Sequence, residues 1–324
     1  MAQSGLREVD GAEVTCLVDN VVDPLLMSTE VVRRFRGQVP PEVAPLMGPG
    51  EIKMAMRAEH GFSALISSVC GGRTHSLLLD AGTSVGGLAH NMHVLGIDVG
   101  AIEAVVLSHG HTDHTAGLNG LIDPLRGRRL PLVFHPDALL EHQIAVPGQN
   151  PVDLESLDRQ ALAEAGFELR ESRQPTFLLE DTVLVTGEVA RTTDFEKGFA
   201  VHRTRRGDDW APDPLILDDQ AVVVNVRDKG LVVVTGCGHS GIVNILRYAR
   251  KITGVKQVYA VIGGFHLNGP LFEPIIPSTV DAMRELDPQV IVPTHCTGWK
   301  AVHAFAAAMP QAFVRNSVGT RYVL

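Results

Sequence analysis

The chain has 324 residues, 45% of them hydrophobic, with 28 Lys and Arg against 37 Asp and Glu and a formal net charge of −9. Such a length can bury a large core in one big α/β domain or two smaller ones. The acidic balance without a long basic run argues against a nucleic-acid face. No stretch of about 18 apolar residues could span a membrane, and MAQSGLREVDGAEV lacks the apolar segment of a signal peptide, so a soluble cytoplasmic protein is expected.

In chain order, residues 14–18 read as a strand, and Ser28 is placed to cap a short helix over 30–35. Pro40, Pro41, Pro45 and Pro49 make the next stretch a loop or lid rather than a regular element, an excursion over 21–57 suited to covering a substrate. His60 precedes a strand at 62–69. A strand at 77–79 ends in Asp80, and Leu88, Met92 and Leu95 set a helix over 86–95. A strand at 104–107 is followed by another at 132–134, then by helices over 137–144 and 154–165, the latter closed by Gly166. His135 and His142 read as structural.

Further on, a strand is expected at 182–186. Strands at 220–226 and 230–234 turn through Asp228, Lys229 and Gly230. Helices at 241–250, 277–286 and 299–309 alternate with strands at 258–262 and 290–292, and 313–324 closes the chain as a strand. No repeat or linker divides residues 1–324, which read as a single domain. Both halves give strands and then helices, which predicts an α/β (α+β) fold: a four-layer αββα sandwich of two sheets packed face to face.

The chemistry concentrates in 103–121, EAVVLSHGHTDHTAGLNGL. An apolar strand runs directly into His109, His111, Asp113 and His114. Buried polar atoms need partners and neighbouring imidazolium charges repel, so this array calls for a divalent cation. In an extended loop His109 and His111 face the same way and can hold one ion, while Asp113 and His114 enter a helix and can reach a second about 3.5–4 Å away. Nitrogen and carboxylate donors suit Zn²⁺, and they also tolerate Mn²⁺ or Fe²⁺.

His-x-His-x-Asp-His after a strand resembles the signature of the metallo-β-lactamase fold superfamily. The wider chain resembles its branch related to 7,8-dihydropterin-6-yl-methyl-4-(β-D-ribofuranosyl)aminobenzene 5′-phosphate synthase, through AEHGFSALI, LLLDAG, LSHGHTDHTAGL, TGEVARTTDFEKG, TGCGHSGIVNIL, GGFHL and PTHCTGWKA, in that order along nearly the whole sequence. The resemblance implies the metallo-β-lactamase fold and places His295 at the last His ligand of the superfamily, beside Asp113 and His114. Many members carry a bridging Asp where this chain has Cys237. That departure leaves one ion or two open, makes Cys237 either a ligand or a buried packing group, and makes His239 the candidate to complete the first site. Asp80 is expected to orient the ligand loop from behind, since a ligating imidazole needs a partner on its other nitrogen.

Of the remaining candidates, His266 and His60 are assigned to proton transfer. Arg191 and Lys197 would bind an anionic group such as a phosphate. Members that use di-iron for redox work generally carry Glu where this chain has His111, which favours zinc. The expected activity is hydrolysis of a small ester, lactone or phosphoester by a metal-activated hydroxide, with Asp113 orienting that nucleophile. One alternative is a transferase like the branch's namesake, which joins a dihydropterin methyl group to a ribofuranosyl-aminobenzene phosphate with loss of diphosphate. Another is a metal-binding module without turnover. The partner in either enzymatic case is a small molecule, phosphorylated or pterin-like. Oligomeric state leaves no mark in the sequence. Cys16, Cys70, Cys237 and Cys296 form no C-x-x-C pair and do not read as a disulfide framework.

Overall fold

The computed structural model of the chain describes residues 5–324. Two large sheets dominate it. In the first, Phe167–Glu171, Leu130–Phe134, Ala104–Val106, Arg73–Leu79, Ser63–Cys70, Gly11–Val18, Thr320–Val323 and Val32–Arg34 lie side by side in that order. In the second, the order is Thr176–Leu178, Val183–Val185, Ala221–Val226, Gly230–Thr235, Val258–Gly264 and Val290–Thr294, with Glu8–Val9 also pairing on Ala221–Val226.

Each sheet contains a parallel trio. Arg73–Leu79, Ala104–Val106 and Leu130–Phe134 form one, and Gly230–Thr235, Val258–Gly264 and Val290–Thr294 form the other. Parallel strands are covered on both faces and so read as unbroken apolar runs, as Leu-Val-Val-Val does at 231–234. Its alternate side chains serve different layers. Val232 and Val234 enter the core between the sheets, where they share a cluster with Ile66, Leu77, Leu79 and Val106 of the opposite sheet. Leu231 and Val233 face outward and pack with residues of the helices Ile242–Thr253, Ile276–Leu286 and Trp299–Ala308. On the far side, Leu78, Val105 and Leu132 pack with Leu88 and Met92 of the helix Gly87–Leu95. Four layers, αββα, result.

Local propensity gives way to sheet pairing in several places. Residues 30–35 form no helix: Val32–Arg34 is an edge strand on Thr320–Val323, where β-branched Val31 and Val32 suit a pleated surface. The proline-rich stretch holds an antiparallel hairpin, Pro41–Val43 with Glu51–Lys53. In place of a helix over 137–144 there is one 3-10 turn, Pro136–Leu139, followed by the strand His142–Ile144. That strand pairs with Val152–Leu154 and with His202–Arg206, which in turn pairs with Asp209–Pro212. The helix expected over 154–165 is confined to Arg159–Glu164, because Asp158 caps it by accepting a hydrogen bond from Ala161 N. Of the closing segment, Thr320–Val323 is strand.

Ile66 is fully buried between the sheets. Ile66→Ala should cost about 2–5 kcal/mol of unfolding free energy, as large-to-small core changes do, read as a lower denaturant midpoint with an unchanged slope.

Candidate metal centre

The parallel trios end at one edge of the molecule, and their carboxyl ends supply the site, as open α/β sheets commonly do. Asp80 follows Arg73–Leu79, the His loop follows Ala104–Val106, and Cys237 and His239 follow Gly230–Thr235. His266 follows Val258–Gly264, and His295 follows Val290–Thr294. Three of these residues hold backbone angles that side chains disfavour: φ is 57° at Asp80, 42° at His266 and 51° at His295. Such strain persists where the surroundings force it, and it gathers at functional sites.

Two groups of donor atoms form, each with its members within 4.8 Å of one another: His109, His111 and His239 in one, and Asp113, His114, Cys237 and His295 in the other. A further combination, Cys237 with His239 and His266, links the two. For His109 and His114, the nitrogen offered follows from what holds the other side of the ring. Ser108 Oγ donates to Asp80 Oδ2 at 2.7 Å and lies 2.9 Å from His109 Nδ1. His109 Nδ1 therefore carries the hydrogen and Nε2 is bare. His114 Nδ1 lies 2.7 Å from Asp80 Oδ2, which turns Nε2 towards Cys237 Sγ at 3.2 Å and His295 Nε2 at 3.2 Å. Asp113 Oδ2 stands 3.2 Å from His295 Nε2 and 3.6 Å from His60 Nε2.

Burial makes this arrangement electrostatically costly without a cation. His109 Nε2, both nitrogens of His239 and His266 Nδ1 are buried and have no hydrogen-bond partner among the described residues. Polar atoms left so are rare, because each forfeits its hydration without replacement. Burial pushes the pKa values of His109, His111 and His239 well below the ordinary histidine value, aided by neighbouring imidazoles, so all three are neutral and able to ligate. In the second group burial opposes the charged forms of Asp113 and His114, yet their mutual attraction prevails. Asp113 is held well below the usual carboxylate range, and His114, helped by Asp80, is pushed up to about 9. The donor set fits a metal.

Other sequence candidates fall at the rim. His60, whose side chain is 69% exposed, His266 and His295 line a cavity of about 730 Å³ that extends to Trp299 and Arg315. Lys197, His239 and His266 line a second cavity of about 400 Å³. His266 borders both. Arg191 departs from its expected role: its guanidinium is spent on the main-chain oxygens of Glu196, His239, Ser240 and Leu215, which makes it a staple for the His239 loop. Val21, at the start of the 21–57 segment, lines the larger cavity.

Asp218, Asp219 and the His202–Asp213 pair have no counterpart among the sequence motifs, and His142, which reads as structural in the sequence, joins a donor group. Asp218 Oδ2 accepts from Gly110 N and Asp219 Oδ2 from Ser240 N, each at 2.8 Å, so the adjacent carboxylates tie down the two ligand loops. A pair of acids just before an apolar strand was the available signal. His142, His202 and Asp213 also bring donor atoms within 4.8 Å of one another beside His111, and no spacing in the chain marks them.

A four-layer αββα sandwich with this ligand set at one edge defines a metallo-β-lactamase fold. A β-lactamase superfamily domain profile matches residues 75–166. The 7,8-dihydropterin-6-methyl-4-(beta-D-ribofuranosyl)-aminobenzene-5'-phosphate synthase of Methanocaldococcus jannaschii is 31% identical over 274 residues, covering 81% of this chain and 89% of its own. An uncharacterized protein of the same organism is 30% identical over 250 residues, 76% of this chain and 86% of its own. Among solved structures, a metal-dependent hydrolase of the β-lactamase superfamily superposes with a TM-score of 0.69 at 23% identity, over 96% of this chain and 98% of that one. The metallo-β-lactamase fold protein YhfI from Bacillus subtilis gives 0.51 at 12% identity, over 97% and 100%. The chain belongs to the metallo-β-lactamase superfamily, in the branch of the dihydropterin-type synthase.

Asp80→Asn weakens the acceptor behind His114 and Ser108, and second-group metal affinity should fall about ten- to a hundredfold, measured by chelator competition with the fold checked by circular dichroism. In the metal-free protein, the raised pKa of His114 means that its pairing stabilises the fold fully below about 6.5, and this is lost as pH rises through about 9. A metal must displace that proton, so second-group affinity should increase with pH across the same window. Chelator competition at pH 6, 7.5 and 9 reads it.

Proposed function

We propose that the protein is a metal-dependent hydrolase acting on a small ester, lactone or phosphoester. His109, His111 and His239 would hold one ion, and Asp113, His114, Cys237 and His295 a second. Zinc is the metal this mixture of imidazole, carboxylate and thiol donors suits best. The observation that carries the reading is the set of buried imidazole nitrogens of His109, His239 and His266 that have no hydrogen-bond partner among the described residues, with His266 bordering both cavities. When bound, such ions polarise the scissile bond and activate water near neutral pH.

The protein's own groups supply the rest. Asp113 keeps its carboxylate ionised between His114 and His295 and fixes the direction from which a nucleophile approaches. His60 Nε2, 3.6 Å from Asp113 Oδ2 and open to the larger cavity, can carry a proton to a leaving group. His266 borders both cavities and is the second proton-transfer candidate. Phe199 and Phe272 lie 5.6 Å and 4.6 Å from its ring and limit water on that side. Lys197 offers a cation to an anionic substrate group in the smaller cavity.

A transferase reading has two supports. Two cavities share His266, which leaves room for two substrates, and the 31% identical relative is named a synthase. Activity on single esters, lactones or phosphoesters favours hydrolysis. Product formation only when a dihydropterin donor and an aminobenzene ribofuranosyl phosphate are both present favours transfer.

His111→Ala should reduce turnover to background and lower bound zinc by about one ion per chain, since one ligand of a three-His set is lost, while the circular dichroism spectrum stays native. Metal analysis and assays on the same preparation check this, and full activity in that variant sinks the assignment.

A further inference from the structure

We propose that His202, held by Asp213, is a positioning residue that fixes which nitrogen His111 offers to the first ion; this rests on the reading of His109, His111 and His239 as ligands of that ion. The main-chain oxygen of Asp213 can only accept, and it lies 3.0 Å from His202 Nδ1, so that nitrogen carries the hydrogen. His202 Nε2 lies 3.0 Å from His111 Nε2, so one of the two facing nitrogens carries the shared hydrogen. With the ion on its Nδ1, His111 donates there and His202 accepts, so the His111 proton sits on Nε2.

The pair is firmly seated. Asp213 Oδ2 lies 3.3 Å from the same His202 Nδ1, and Asp213 N donates to His202 O at 3.0 Å. His202 is fully buried and His111 is 7% exposed, which shields their shared hydrogen bond from solvent. His109 is fixed the opposite way, with Nδ1 on Ser108 Oγ. The two histidines of the His-x-His pair thus present different nitrogens, each set by its own buried partner.

His142 lies beside these hydrogen bonds, both of its nitrogens buried without a partner among the described residues, and with His202 and Asp213 it has the donor spacing of a third cation site. Yet both His202 nitrogens are already engaged, one by Asp213 and the other by His111. A third ion would have to break one of those bonds, whereas the positioning role keeps both.

The test uses the full zinc-loaded chain, comparing wild type with H202L, which removes the acceptor, and H202Q, whose amide oxygen can accept the same hydrogen. First-site affinity in chelator competition should fall about ten- to a hundredfold in H202L and largely recover in H202Q, with second-site affinity unchanged in both. Long-range proton–nitrogen correlation spectra of the wild type should place the His111 proton on Nε2, a readout that needs no variant to fold. Equal first-site affinity in all three proteins, a His111 proton on Nδ1, or an anomalous-scattering peak among His142, His202 and Asp213 overturns the inference and leaves the two-ion reading intact. Wild-type protein without an ion at His109, His111 and His239 overturns both.

Discussion

The site depends on one buried carboxylate. Asp80 has no solvent exposure, and a buried charge survives only when its oxygens are well supplied with donors. Here Oδ1 accepts from Ser108 N at 2.7 Å, while Oδ2 takes Ser108 Oγ at 2.7 Å and His114 Nδ1 at 2.7 Å. Through Ser108 it sets the tautomer of His109, and directly it sets that of His114. A single acid thereby orients one ligand in each donor group. The geometry also explains Gly236: a Cβ there would run into Ser108 Oγ and Asp80 Oδ2, so the strand end that delivers Cys237 and His239 can approach only if it is bare.

That support costs the backbone something. Asp80, His266 and His295 all adopt positive φ, a conformation worth of order 1–3 kcal/mol of strain for a residue with a side chain. The surrounding parallel strands are buried on both faces and packed between two layers, which makes them stiff enough to impose it. Asp19 and Asn20 contribute from the opposite sheet, where Asp19 Oδ1 accepts from His295 N at 3.0 Å and Asn20 donates to His295 O at 3.1 Å. The two sheets are therefore joined at the site as well as through their shared core.

What the sequence made legible was what lies close together in it. His109, His111, Asp113 and His114 span six positions, so their convergence follows from local geometry, and the apolar runs at 104–107 and 230–234 announce buried strands. Asp218, Asp219, His202 and Asp213 act across the fold instead. His202 stands 91 positions from His111, and the pairing of His142–Ile144 with His202–Arg206 helps bring that excursion to the site. The same pairing overrode the helical pattern of 137–144, since propensity is a weak preference once a strand partner is available. Arg191 illustrates the reverse error. A cation in an acidic chain suggests an anion site, but a guanidinium has five donors, and here four main-chain oxygens occupy it.

The two donor groups differ in charge, and this divides their labour. His109, His111 and His239 are neutral and bring no negative charge, so an ion among them would keep its full pull on a nearby oxygen. Asp113 brings a carboxylate, and Cys237 a thiol that burial keeps protonated until a cation takes the proton's place. Ions held by that second group would be partly neutralised and suited to anchoring rather than polarising. Because His239 belongs to the first group and also stands with Cys237 and His266 in the linking combination, any change at Cys237 should be felt on both sides. Two of the three imidazoles of the first group, His109 and His111, are held by Ser108 and His202 rather than by Cys237, so their orientation does not depend on which residue stands at that position.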